Sequence, residues 1–227
     1  ARSTYYASYS YAFLPQGDQL SLATNTASLS PESAINYEIG ARWDVLPKLT
    51  LSAAAFRTDR KDMKVSHPTI SGQLVQSGQQ RTEGVEIGLQ GEVAKNWNIY
   101  AGYANLDARL TSETNDGSTK YAAGRVVGLV PKDAFSVWNK FDLAGGWGLG
   151  LGVIHQSAVY TTFTNAVKLP AFTRADGAVY YKLDNKTRLA LNVENLFDKK
   201  YYPTAHNDNN ISPGAPRTAM LTVSTRF

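Results

Sequence analysis

Ile35, Tyr37, Ile39, Ala41, Trp43 and Val45 alternate with Asn36, Glu38, Gly40, Arg42 and Asp44. A strand turns successive side chains to opposite faces, so this stretch has one oily side and one wet side. The pattern returns along nearly the whole chain. Val85, Ile87, Leu89 and Val93 alternate with Gly84, Glu86, Gly88, Gln90 and Glu92. Leu189, Leu191, Val193 and Phe197 alternate with Arg188, Ala190, Asn192 and Glu194. The last residues repeat it, with Ala219, Leu221, Val223, Thr225 and Phe227 on one side and Thr218, Met220, Thr222, Ser224 and Arg226 on the other. About ten segments read this way, at roughly 3–13, 35–46, 49–60, 80–94, 97–109, 133–143, 147–158, 171–183, 186–197 and 216–227. The class is all-β.

The connections fall into two kinds, and the kinds alternate. Leu46-Pro47-Lys48, Lys95-Asn96, Ala144-Gly145-Gly146 and Asp184-Asn185 are short turns with hairpin chemistry. The stretches 14–34, 61–79, 110–132, 159–170 and 198–215 are long and rich in Ser, Asn, Gly and Pro. Short turns at one end and long loops at the other are the asymmetry of an outer-membrane β-barrel. Twelve residues at about 3.4 Å each, tilted about 45°, cover roughly 28 Å, enough for the apolar band of such a barrel. On several strands the oily face carries no charge, as a bilayer enforces when a midplane Arg or Lys costs about 2–4 kcal/mol. Trp43, Trp97, Trp147 and Tyr181 lie near strand ends, where aromatic side chains favour the water–lipid boundary. The expected architecture is a transmembrane, antiparallel up-and-down β-barrel segment with short periplasmic turns and long extracellular loops, in a bacterial outer membrane. A large soluble β-sandwich with one wet side is the competing fold. Phe227 then closes the final strand on the lipid face.

Composition removes other classes. The chain has 227 residues, no cysteine and a net charge of +4 with no basic run, which argues against a disulfide scaffold, a cysteine-ligated zinc site or a nucleic-acid surface. The longest uncharged run, Leu143–Val167, is broken by Gly145, Gly146, Gly148, Gly150 and Gly152, so it does not read as a spanning helix. A strand-like pattern starts at once and no signal segment precedes it, which reads as a mature or truncated chain. His67, His155 and His206 show no metal-ligand spacing, His67-Pro68 reads as a turn, and no nucleophile elbow or phosphate cradle is present. No metal site, cofactor or catalytic residue is expected. A small ten-stranded surface enzyme would need acids and a histidine at the outer rim, and only His206 with Asp208, or Asp107 with Asp116, offer them.

Four stretches carry a specific likeness: NYEIGARWDVLPKLTLSAAAF (36–56), RTEGVEIGLQGEV (81–93) with WNIYAGYANLDA (97–108), NVENLFDKKYY (192–202), and the terminal PGAPRTAMLTVSTRF (213–227). They resemble, in order, the C-terminal half of the β-barrel of a TonB-dependent siderophore receptor. The resemblance implies about ten strands of a 22-strand type barrel, whose lumen is filled by a plug domain not present in this chain. A receptor fragment and an independent ten-stranded barrel both stay open. It implies ferric siderophore uptake, energised by the TonB complex acting through the missing N-terminal region. It further implies contact with outer-membrane lipid and lipopolysaccharide, and Phe227 as an assembly signal for the barrel assembly machinery. The loop text HNDNNISPGAPR is reminiscent of the catecholate-type subgroup, with hydroxamates left open. A passive porin is the alternative transporter.

A ferric siderophore holds its iron within its own oxygen ligands, so a receptor needs aromatic faces and cationic or amide donors rather than metal ligands. The candidates on the outer loops are Tyr121, Arg125, Tyr160, Phe163, Asn165, His206, Asn207, Asn209 and Asn210, beside Tyr201 and Tyr202. On the inner parity, Gly40, Gly84, Gly88, Gly148, Gly150 and Gly152 leave room for a plug. Arg42, Arg174, Arg188 and Arg226 are expected to pair with Glu38, Asp176 and Glu194, or with the plug.

Overall fold

The computed structural model describes residues 2–14, 29–67, 70, 74–115 and 119–226. Phe227, Asp116 and Pro68 lie outside the described residues. Ten strands form one antiparallel sheet in chain order: β1 (Ser3–Leu14), β2 (Glu32–Leu46), β3 (Leu49–Ser66), β4 (Leu74–Ala94), β5 (Trp97–Leu110), β6 (Asp133–Asp142), β7 (Trp147–Gln156), β8 (Phe172–Lys182), β9 (Thr187–Glu194) and β10 (Thr218–Thr225). Each strand pairs with its neighbours in sequence, and β1 and β10 stand at the two edges.

The short turns are built by their own residues. At the β2–β3 turn the Glu92 amide donates to the Lys48 carbonyl at 2.8 Å, and Gly91 (φ 130) lies so close to that carbonyl that a Cβ would collide with it. Lys48 Nζ meets Glu92 Oε2 at 2.8 Å, a contact that raises the Lys48 pKa chiefly through its hydrogen bond. At the β8–β9 turn Asp184 Oδ1 accepts the amides of Lys186 and Thr187, both at 2.7 Å. Those two bonds hold the Asp184 carboxyl below the usual carboxylate range.

One face of the sheet is apolar and uncovered. Ile39 is 63% exposed, Leu221 68% and Val223 61%, and Tyr5, Tyr37, Ile87, Leu151 and Val179 share that face. No second layer lies against it among the described residues. A continuous apolar surface of this extent calls for lipid rather than water. Aromatic pairs mark its short-turn margin: Trp97 with Phe141 at 5.8 Å between centroids, and Trp147 with Tyr181 at 4.6 Å. Asn139, the polar residue inside this band on β6, accepts a hydrogen bond from Trp97 Nε1 at 3.0 Å. Toward the long-loop end the same face turns charged. Asp59 takes Arg57 Nε at 2.9 Å and Arg81 Nε at 2.7 Å, and Arg109 pairs with Asp107 at 2.8 Å.

Buried apolar residues gather under the long loops instead of between layers. Met63, Leu110 and Tyr121 form one cluster, with Phe163 packed against it, and Val159, Leu169 and Ala205 form another. Here the structure corrects the expected strand limits. The stretch 61–79 is not a plain loop, because β3 continues to Ser66 and β4 starts at Leu74. Register shifts around Met63, with Asp62 at φ 57, interrupt the alternation and so hide the extension from a period-two reading.

The wet face also corrects the reading of its glycines. Tyr6, cross-strand from Gly40, lies over it, and a Cβ there would meet the ring at 2.5 Å. The Trp138 indole lies across both Gly150 and Gly152. Gly40, Gly150 and Gly152 thus serve as beds for aromatic rings within the sheet, while Gly88 has no ring over it.

Candidate functional site

Three long loops meet at one end of the sheet and are tied into a single body. The β5–β6 connection is clamped to the β7–β8 connection by Asn165, whose side chain accepts from the Val126 amide at 3.0 Å and donates to the Val126 carbonyl at 2.9 Å. Asn165 stands at φ 52, where Asn is tolerated better than most residues. Arg125 donates to the carbonyls of Phe163 (3.3 Å) and Thr164, and its guanidinium lies 5.8 Å from the Tyr121 ring centroid. Gly128 packs on the Thr161 backbone, where a Cβ would come within 2.8 Å of its carbonyl oxygen.

The β9–β10 connection joins through Asp208. Its carboxylate accepts the hydroxyls of Thr161, Thr162 (2.9 Å) and Thr164 (2.7 Å). These bonds, led by that from Thr161, hold the Asp208 carboxyl below its ordinary range. Below it, Asn195 is 1% exposed and satisfied on every side. Its amide donates to Asp176, its Nδ2 to the carbonyls of Lys199 (2.9 Å) and Ala215 (3.1 Å), and its Oδ1 accepts the Lys199 amide. Tyr201 is buried, its ring tilted against that of Phe172 at 4.6 Å between centroids, and it accepts from Arg174 Nη1 at 2.9 Å. The stretch NVENLFDKKYY therefore acts as the hinge pin that fixes the last long loop to the wall.

The sequence candidates divide accordingly. Tyr121 is buried in a cluster, and Arg125, Phe163 and Asn165 are spent on loop–loop contacts. Tyr160 is half-buried with Lys168 Nζ 5.2 Å from its ring centroid. His206, Asn207, Asn209 and Asn210 are exposed on a tip hairpin formed by Thr204–Asn207 and Asn210–Ser212, and Tyr202 is exposed nearby. Asp208, expected only as an acid beside His206, instead binds three threonine hydroxyls, and Lys168, outside the sequence candidates, lies over the Tyr160 ring. Neither has a local pattern that marks it. Of the acid–histidine groupings, Asp208 accepts from three threonine hydroxyls and Asp107 pairs with Arg109, while Asp116 lies outside the described residues.

On the wet face, Arg42, Ser52, Gly88, Gly102, Ser136, Ile154 and Arg174 occupy one cross-strand row. The small members of this row line two adjoining hollows of about 610 and 510 Å³. Arg174 pairs with Asp176 at 2.8 Å and Glu194 at 3.7 Å, as expected. Glu38 accepts the Tyr6 hydroxyl at 2.5 Å, and Arg42, Arg188 and Arg226 have no ion-pair partner among the described residues.

The family described as TonB dependent receptor-like, beta-barrel matches residues 3–196. The chain belongs to this family. As a member of the TonB-dependent receptor barrels, it is an outer-membrane protein. It is 30% identical over 98% of its length to a probable TonB-dependent siderophore receptor, PiuA, of Acinetobacter baumannii, and covers 32% of that protein. It is 30% identical over 94% of its length to the catecholate siderophore receptor Fiu of Escherichia coli K12, covering 29% of it. The crystal structure of PiuA superposes with a TM-score of 0.86 at 29% identity, over 98% of this chain and 34% of that one. The closed form of Fiu gives 0.80 at 28% identity, over 99% and 33%. The chain thus spans about a third of the length of the relatives it matches.

Proposed function

We propose that this chain is the C-terminal portion of the β-barrel of a receptor that takes up a ferric siderophore across the outer membrane. The observation that carries the reading is the sheet itself: ten strands in simple order, lipid-facing on one side and wet on the other, in the same arrangement as a siderophore receptor over 98% of the chain. A plug domain outside this chain fills the lumen against the wet wall. The energy for transport comes from TonB acting on that plug. The two hollows along the row of small residues are the surface that supports such packing. No cofactor or enzymatic step belongs to this part of the receptor.

The siderophore meets the exposed tip residues His206, Asn207, Asn209 and Asn210 together with Tyr160 and Tyr202. The buried candidates hold the loops in place for them. A catecholate chelate, anionic and aromatic, suits amide donors beside tyrosine faces and the Lys168 ammonium. Replacing the four tip residues by alanine in the whole receptor, with Asp208 kept, should weaken binding of a ferric catecholate at least tenfold, read by fluorescence quenching. An unchanged affinity overturns the tip assignment. Steady ion conductance of the purified receptor in planar bilayers would instead favour a porin.

A further inference from the structure

Lys182 and Arg188 face each other directly across the β8–β9 pair, at the short-turn end of the wet face. Arg188 in turn faces Ser224, and Arg226 follows on the same side of β10, its amide bonded to the Lys186 carbonyl at 3.2 Å. These cations line a hollow of about 340 Å³. Like charges placed directly opposite on a sheet repel one another, so this corner is unfavourable when left alone. The local acids are already committed. Asp142 takes Lys140 Nζ at 3.0 Å, and Asp184 Oδ1 takes two amides of its own turn. None of Lys182, Lys186, Arg188 and Arg226 has an ion-pair partner among the described residues. Leu189, Leu191 and Val223 turn the other way, to the lipid-facing side, which excludes a lipid headgroup as the neutralising partner of the inward cations.

We propose that this corner is the seat of an acidic polypeptide segment that enters the lumen from the periplasmic mouth, with its carboxylates between Lys182, Arg188 and Arg226. The inference rests on the receptor reading above and adds the chemistry of one contact to it: the part of the receptor lying against β8–β10 near the periplasm carries Asp or Glu. A standing cluster of like charge calls for a resident anion rather than one that passes through. A flexible acidic stretch supplies this while remaining releasable, because each pair stays near water and is screened by salt.

Zero-length carbodiimide coupling tests this in the whole receptor in outer-membrane vesicles, since it joins a lysine amine to a carboxylate only when the two touch. Lys182, and the added amine of Arg188→Lys, should form amides with acidic residues from outside 1–227, mapped by mass spectrometry. The yield should fall several-fold in 1 M salt, where the screening length is about 3 Å. Coupling confined to Asp142 or Asp184, or none at all, in a receptor that still binds its ferric siderophore overturns the acidic-segment proposal and leaves the receptor reading intact. A receptor that binds no ferric siderophore before any coupling fails the receptor reading, and this proposal with it.

Discussion

Asp208 is the residue on which the outer loops most depend, because one carboxylate serves three hydroxyls from another loop. Its folded pKa lies below its unfolded value of about 3.9. A depressed carboxylate pKa contributes stability that is present above the unfolded value and lost as pH falls through the folded one. The protection factors of the 161–167 amides, relative to intrinsic exchange at each pH, should therefore stay high at neutral pH and fall below about pH 4. Asp208→Ala should give the low protection at every pH, without unfolding the strands. The glycine beds permit a second residue-scale test. Gly150→Val would drive a branched side chain into the Trp138 indole, with an expected cost of about 1–3 kcal/mol in the unfolding midpoint in detergent. Gly102, whose Cβ position meets nothing closer than Ser136 Oγ at 3.9 Å, lacks that steric penalty.

At the scale of a strand, β10 separates lipid from water most cleanly. Met220 and Leu221 are exposed to similar extents, 59% and 68%, yet they face opposite sides. Exposure alone would rank an arginine at either site as harmless. A bilayer does not. Leu221→Arg should destabilise the barrel by about 2–4 kcal/mol in lipid vesicles, while Met220→Arg, on the wet side, should cost much less. Equal costs at the two sites would mean that the apolar face is not lipid-facing. The arms of β3 and β4 add a feature of their own. They run past the apolar band into the charged ladder of Arg57, Asp59, Arg81 and Glu83, and place Met63 where Leu110 and Tyr121 can cover it.

For the whole molecule, the governing fact is that the sheet ends at β1 and β10, each paired on one side only. Unpaired amides and carbonyls cannot rest in hydrocarbon, so these edges must find other strands. Residues 1–227 produced alone and refolded in detergent should run in size-exclusion chromatography with light scattering as oligomers joined through those edges. A stable monomer would require β1 and β10 to bond to each other. The tied loops have a consequence at this scale as well. Since three connections share the contacts of Asn165, Arg125 and Asp208, a ligand held at the 206–210 tip bears on the β5–β6 and β7–β8 loops too.

Much of this was legible in the residues themselves. Period-two alternation is a local property, so the number, order and facing of the strands could be read from stretches such as 35–45, and the short turns from Gly145-Gly146 and Asp184-Asn185. The 61–79 stretch looks like loop in the sequence because a bulge near Met63 shifts the phase, and a phase shift looks like the absence of a strand. What only the tertiary structure decided depends on register and on distant partners. Asp208 meets threonines 44 to 47 residues away, and Trp138 finds its glycines on the neighbouring strand. No local pattern encodes either contact. Alternation says which way a side chain points, but what it touches is set by how the strands are aligned and how the loops fold back. For that reason the sequence by itself determined a lipid-facing sheet, and the fold alone decided which loop residues are struts and which stay exposed at the tip.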